Sequence, residues 1–318
     1  MTDAAFPAAS DSLAAVDFKA FETDFAGFSR DLGGSFERYG FAVVTGHGLP
    51  QDRIDAALAA AKRFFALPEE VKRRYVVGQG FQRGYTPFGI ETAKDAKHHD
   101  LKEFWHVGRE LPPGHRYRAV MPDNVWPGEV PEFHAAVGWL YGALDAMGQR
   151  LLEAIAEHLG LARGFFAPTV AEGNSILRLL HYPPVPFDGP HIRAGAHEDI
   201  NVITLLLGAE EAGLEVLDRD GRWLPINPAP GALVVNIGDM LQRLTNHVLP
   251  STTHRVVNPA PERRGTARYS TPFFLHFNPD YEIRTLRSCV DAGRPDRYPE
   301  AITAQGFLEE RLRQIRLL

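Results

Sequence analysis

Apolar residues recur every three or four positions at Phe18, Phe21, Phe25, Phe28 and Leu32. That spacing lays five side chains along one helical face. Gly33, Gly34 and Gly40 then mark the helix end and the entry to a strand, Phe41–Thr45, which a Gly-His-Gly turn follows. A second helix is predicted over Asp52–Ala66, stopping before Pro68, with one more turn over Glu69–Arg74. Residues 77–130 are rich in Gly, Pro and aromatics and read as loops with short strands. A long helix is predicted over Pro131–Leu159, with proline at its first position. Its stripe is Phe133, Val137, Leu140, Leu144, Met147, Leu151 and Ile155.

From residue 174 the period shortens. β-like runs appear at Ser175–His181, Asn201–Leu207, Leu214–Leu217, Arg222–Ile226, Ala232–Asn236, His254–Asn258 and Arg268–Phe277, with a hairpin turn at Asp218–Gly221. Many short strands at this spacing predict a sandwich, jelly roll or barrel. A closing helix is expected over Ala304–Arg316. The class is α+β: helices, mainly N-terminal, flank a C-terminal β core. No composition break separates independent domains. The working division is a helical region over 1–165 and a β domain over 166–318 that includes the closing helix.

Composition narrows the function. The chain has 318 residues and a net charge of −6, with no basic patch for nucleic acid and no basic helix for a membrane surface. Its start lacks the basic and apolar regions of a secretory signal, and no apolar run approaches a membrane span. One cysteine, Cys289, excludes an intrachain disulfide and makes a cytoplasmic setting the expectation. Thirteen histidines direct attention to metal chemistry.

Ala196-His-Glu-Asp-Ile200 places His197 and Asp199 two apart, so on a strand both point to one face. His254, opening a later strand, is the candidate third ligand. Two histidines and a carboxylate on one face of an octahedral ion leave three positions open, the facial triad of non-haem Fe(II) oxygenases. By itself a His-x-Asp pair also occurs at surfaces and in turns. Downstream, Arg268 and Ser270 share a strand face with Pro272, Phe274 and His276. A guanidinium fork beside a hydroxyl forms a carboxylate receptor. Arg264 with Thr266 is a competing pair, but Arg264 falls in the expected hairpin loop Asn258–Gly265.

These fragments fall in a familiar order. Gly40–Leu49, Phe64–Lys72, Asp100–Glu103 with Gly108, His181–Pro184, Gly195–Asp199, Pro230–Met240, Ser251–Arg255 and Arg268–Ser270 together resemble the isopenicillin N synthase-like family of Fe(II)- and 2-oxoglutarate-dependent dioxygenases. The resemblance implies a double-stranded β-helix, a jelly roll holding iron between two sheets. It implies Fe(II) on His197, Asp199 and His254, with 2-oxoglutarate and O₂ as cosubstrates. Arg268 and Ser270 would hold the remote carboxylate, and the Tyr182 hydroxyl would reach the same region. A small molecule would be oxidised as 2-oxoglutarate becomes succinate and CO₂.

His181 departs from the pattern, standing where many plant members carry tyrosine. His47, His98 and His99 read as structural or surface groups. His106, His191, His247 and His276 could approach the pocket, but a structural or surface role comes first for each. Arg193, Phe81, Tyr85 and Trp105 are candidate substrate contacts, and Phe274 a shield for the metal. Two other functions stay open: an isopenicillin N synthase-type oxidase that does not use 2-oxoglutarate, and a non-catalytic jelly-roll binding module. Substrate identity and oligomeric state stay open too.

Overall fold

Two sheets face each other, and helices cover the back of the larger one. The computed structural model describes residues 13–78, 82–90, 100–184, 193–207, 213–259 and 265–314. The elements run β1 (Ala15–Asp17), α1 (Ala20–Thr23), α2 (Phe25–Tyr39), β2 (Phe41–Thr45), α3 (Gln51–Phe65), α4 (Glu69–Lys72), β3 (Gly84–Thr86), β4 (Glu103–Gly108), α5 (Phe133–His158) and α6 (Ala167–Val170). There follow β5 (Ile176–Tyr182), β6 (Ala194–His197), β7 (Ile203–Leu207), β8 (Leu214–Leu217), β9 (Trp223–Pro225), β10 (Leu233–Ile237) and α7 (Asp239–Leu244). Last come β11 (His254–Val256), β12 (Arg268–Ser270), β13 (Pro272–Leu275), β14 (Glu282–Ile283), β15 (Ile302–Thr303) and α8 (Ala304–Gln314).

The large sheet has the order β1-β2-β10-β7-β13-β5-β4-β3, with β12 also paired to β5, and the small sheet the order β6-β11-β8-β9. Strands from the first third of the chain therefore lie in the same sheet as those of the last. The large sheet is apolar on both faces. Ala42, Val44, Trp105, Val107, Leu177, Leu179, Leu205, Val235 and Phe273 pack outward with the stripe of α5. Phe41, Val43 and Val234 point inward and meet Leu214 and Val216 of the small sheet. Each Val, Leu or Phe among them contributes roughly 1.5–3 kcal/mol of burial.

All seven predicted stripe residues of α5 are buried. The helix starts two residues later than expected, because Phe133 N–H bonds the Val130 carbonyl and leaves Pro131 in the preceding turn. The first predicted helix is broken at Asp24, a non-helical residue whose carboxylate accepts the Gly27 N–H at 3.0 Å. Phe18 and Phe21 consequently precede α2, yet they stack on each other and meet the Phe28 ring edge to face. Gly33 and Gly34 do not end the helix, which runs on to Tyr39. At Gly33 a Cβ would lie 2.1 Å from the His158 ring, so this glycine serves the crossing of α2 over α5. Gly40 is the terminator: its φ of 68° is left-handed, and its N–H closes on Phe36. The predicted strand Arg268–Phe277 divides into β12 and β13 at Thr271.

Candidate iron and cosubstrate site

β6 and β11 lie side by side in the small sheet, with His197 and His254 directly paired. Their rings are 4.4 Å apart. Asp199 reaches them by another route than strand alternation, because β6 ends at His197. It lies in the connection to β7, where Thr204 Oγ1 donates to Asp199 Oδ2 at 2.6 Å and Asn236 Nδ2 donates to the same oxygen at 2.8 Å. The backbone N–H of Asp239 holds the Asp199 carbonyl at 2.7 Å. Oδ1 is thereby turned toward the histidines, 3.8 Å from His197 Nε2 and 3.9 Å from His254 Nε2.

Each imidazole is fixed by its other nitrogen. His197 Nδ1 donates to the Gly195 carbonyl at 2.7 Å, and His254 Nδ1 to the Thr252 carbonyl at 3.1 Å. Both Nε2 atoms then carry lone pairs, as a metal ligand requires. Desolvation and the neighbouring His254 hold His197 down at about 4. Burial works to raise the Asp199 carboxyl, but the two imidazoles, Asn236 and Thr204 outweigh it and keep it below the usual range. One ligand atom from each of the three residues falls within 4.8 Å of the others. The donor set, two imidazoles and a carboxylate, fits a divalent iron.

Arg268 and Ser270 are both buried and both face inward from β12. They line a cavity of about 400 Å³ with Leu206, Leu214, Ile226 and Val234 among its apolar walls. On β7, Leu206 lies two residues beyond Thr204; on β10, Val234 lies two residues before Asn236. The cavity and the triad are thus separated by about 7 Å along shared inner faces. That span suits an extended five-carbon diacid whose keto acid end meets the metal and whose far carboxylate meets the guanidinium. The Tyr182 ring packs under the guanidinium, 5.1 Å from its carbon, and this contact is how Tyr182 enters the region.

A second inner wall rises from β4, β5 and β13. Arg178 Nε donates to His106 Nε2 at 2.6 Å, and its guanidinium lies 4.2 Å over Phe104 and 5.4 Å from Phe274. Burial holds His276 down at about 4, so it is neutral, with Nδ1 donating to the Phe274 carbonyl. Tyr85 and Trp105 are not pocket residues: both point outward and pack around Phe64. His47 bonds the Gly231 carbonyl and is structural. Phe81, His98, His99, His191 and Arg264, with most of the predicted 258–265 loop, lie outside the described residues. Sequence reasoning missed Thr204 and Asn236. Their signal is a lone polar residue within each apolar strand, Ile203-Thr-Leu and Val235-Asn-Ile.

A jelly roll with two imidazoles and one carboxylate converging between its sheets is the architecture of mononuclear non-haem iron oxygenases. Residues 13–129 match the family model for the non-haem dioxygenase in morphine synthesis N-terminal region, and residues 173–277 that of the 2OG-Fe(II) oxygenase superfamily. A 2-oxoglutarate-Fe(II) type oxidoreductase of Emericella nidulans is 37% identical over 83% of this chain and 78% of its own. A crystal structure of a 2OG-Fe(II) oxygenase family protein from Caulobacter crescentus is 66% identical, with a TM-score of 0.91, covering 95% of this chain and 99% of that one. A full-length Neurospora crassa protein, crystallised in complex with alpha-KG and thymine, is 28% identical, with a TM-score of 0.85, over 96% and 98% of the two chains. The chain belongs to the 2OG-Fe(II) oxygenase superfamily. It is a non-haem dioxygenase that uses Fe(II), 2-oxoglutarate and O₂ to oxidise a small molecule, the first of the three functions considered above. Among the described residues no helix is long and apolar enough to cross a membrane.

Proposed function

We propose that His197, Asp199 and His254 hold the iron, that Arg268 and Ser270 receive the remote carboxylate of 2-oxoglutarate, and that Tyr182 supports Arg268 from below. The carrying observation is the convergence of the three ligand atoms within 4.8 Å. When bound, the metal and cosubstrate supply the oxidation: 2-oxoglutarate and O₂ are consumed, succinate and CO₂ leave, and the substrate is hydroxylated or otherwise oxidised. The protein's own work is orientation. The Gly195 and Thr252 carbonyls aim the imidazoles, while Thr204 and Asn236 occupy one carboxylate oxygen so that the other faces the metal. Leu206, Leu214 and Val234 keep water from the cosubstrate chain.

The wall of Phe104, His106, Arg178, Phe274 and His276 faces the substrate in this reading. A guanidinium, two imidazoles and aromatic rings suit a small polar or aromatic molecule rather than nucleic acid or lipid. The net charge of −6 agrees, and the single cysteine, buried, fits the cytoplasm. The test is succinate release and oxygen uptake across a metabolite panel, with Fe(II) and ascorbate present. Turnover of at least one compound, lost in Arg268→Ala at limiting 2-oxoglutarate, is the expected result. Equal succinate release by wild type and variant at every concentration would remove the assignment of Arg268.

A further inference from the structure

α7 is six residues long, yet it touches the supports of two of the three proposed ligands. Its N-terminal end lies over the connection that carries Asp199. The backbone N–H groups of Gly238, Asp239 and Met240 donate to the carbonyls of Val202, Asp199 and Asn201, at 2.9, 2.7 and 3.1 Å. The approach leaves no room for a side chain: a Cβ at Gly238 would lie 2.1 Å from the Asn201 carbonyl oxygen. Further along the helix, Gln242 Oε1 accepts the Ser251 N–H at 2.9 Å. The next residue is Thr252, whose carbonyl receives His254 Nδ1. One end of α7 therefore sets Asp199, and its middle sets the segment that aims His254. A tilt of the helix would change the spacing of both.

A helix this short makes few hydrogen bonds of its own, so its placement depends on what packs around it. α8 supplies part of that packing. Asp239 and Arg243 are one turn apart on α7, and Phe307 and Arg311 are one turn apart on α8. Arg311 Nη2 lies 2.8 Å from Asp239 Oδ2, and the Arg243 guanidinium lies 5.9 Å from the Phe307 ring. The two helices thus meet at two points. The Asp239 point carries the more weight, because its carboxylate is buried. A buried carboxylate stripped of its cation is left uncompensated, and the structure that holds it shifts to relieve it.

We infer that Arg311 is a positioning residue for the iron site: from α8 it braces α7 through Asp239, and α7 sets Asp199 and His254. This rests on the reading of His197, Asp199 and His254 as the ligands. Arg311 itself touches neither the metal nor any ligand. Its effect passes through the backbone N–H groups at the start of α7 and through Gln242.

The experiment uses the full-length protein and measures Fe(II) affinity by competition with a coloured chelator, alongside the melting temperature. Arg311→Ala is expected to weaken Fe(II) binding about fivefold, less than the tenfold low end for a residue that bonds a ligand directly. Asp239→Asn combined with Arg311→Ala removes the stranded charge together with its partner and recovers most of the affinity. Arg313→Ala breaks an exposed pair with Glu309, 3.1 Å long and on the same helix, and should leave affinity at the wild-type value. Asp145→Asn breaks the Arg109–Asp145 pair at 2.8 Å, away from α7, and serves as a control for lowered stability. Wild-type affinity in Arg311→Ala overturns the inference, as does an equal loss in Arg313→Ala or in Asp145→Asn at matched melting temperature. A double variant as weak as Arg311→Ala overturns the route through Asp239. Asp199→Ala separates the two levels. If it keeps one equivalent of iron, the ligand reading itself is wrong; if it loses the iron and Arg311→Ala binds like wild type, only the brace fails.

Discussion

The two halves of the proposed site are built differently. In the proposed metal half, the candidate ligands come from the small sheet and its connection to β7, and Asp199 is gripped by side chains from β7 and β10. Those two strands lie in the interior of the large sheet, each with neighbours on both sides. In the proposed cosubstrate half, Arg268 and Ser270 stand on a three-residue strand that pairs with β5. The first is held by side chains reaching in from two neighbouring strands, the second by one strand segment that continues β13 in the same register on β5. The difference fits the two tasks. Ligand geometry around an ion tolerates little error, whereas a flexible diacid anchored at both ends accommodates small movements of its receptor.

The largest effects should come from removing a ligand. Asp199→Ala is expected to lower turnover by on the order of 10³-fold or more and to abolish stoichiometric Fe(II) binding, read by metal analysis after desalting. Iron retained at one equivalent would break the metal-end account. Arg268→Ala is next. It should raise the 2-oxoglutarate KM by about 10²-fold, the loss of a bidentate charged contact, while Fe(II) affinity stays put. A variant that lost both together would mean that the two ends are one cooperative unit.

Asn236→Ala sharpens the contrast. It removes a single bond to Asp199 Oδ2 and leaves Thr204 on the same oxygen. Fe(II) affinity should fall about tenfold, the low end for an outer-shell partner, since one grip remains. A competition titration with a coloured chelator would measure it. Affinity equal to wild type would show that Thr204 and the Asp239 backbone suffice.

The convergence of His197, Asp199 and His254 was legible in the sequence because residue chemistry and order coincide there, ahead of Arg268 and Ser270. Strand alternation does not explain how Asp199 arrives, since the strand has already ended at His197. Long apolar periodicity was equally readable, as the α5 stripe demonstrates. Short-range breaks were not. A carboxylate capping its own helix at Asp24 and a glycine that admits His158 at Gly33 depend on contacts with one neighbour, and periodicity averages over such neighbours. The aromatics Tyr85 and Trp105 failed as pocket residues for a related reason. On β3 and β4 both faces are buried, so apolar character cannot say which face is the pocket.

The smallest effect concerns the buried Glu103, whose carboxylate accepts from His181 Nδ1 and Lys72 Nζ, each at 2.7 Å, and from the Tyr85 hydroxyl, and its response to acid. Burial would raise the Glu103 carboxyl, but the bonds from His181, Lys72 and Tyr85 together outweigh it and hold the folded value below the usual carboxylate range. A depressed folded value means that the contribution is complete above the unfolded carboxylate value, about 4.3, and is lost as pH falls through the folded one. Glu103→Gln keeps an acceptor for Lys72 but loses the charge. It should cost about 1.5 kcal/mol near neutral pH, the scale of a hydrogen bond to a charged group. The gap between variant and wild type should then close as pH drops below about 4.3. Urea midpoints of the two proteins, compared pairwise from neutral to acid pH, cancel the titration of every other group. A gap that held constant into acid would assign Glu103 a packing role and leave Lys72 to be balanced by Glu69, 3.2 Å away.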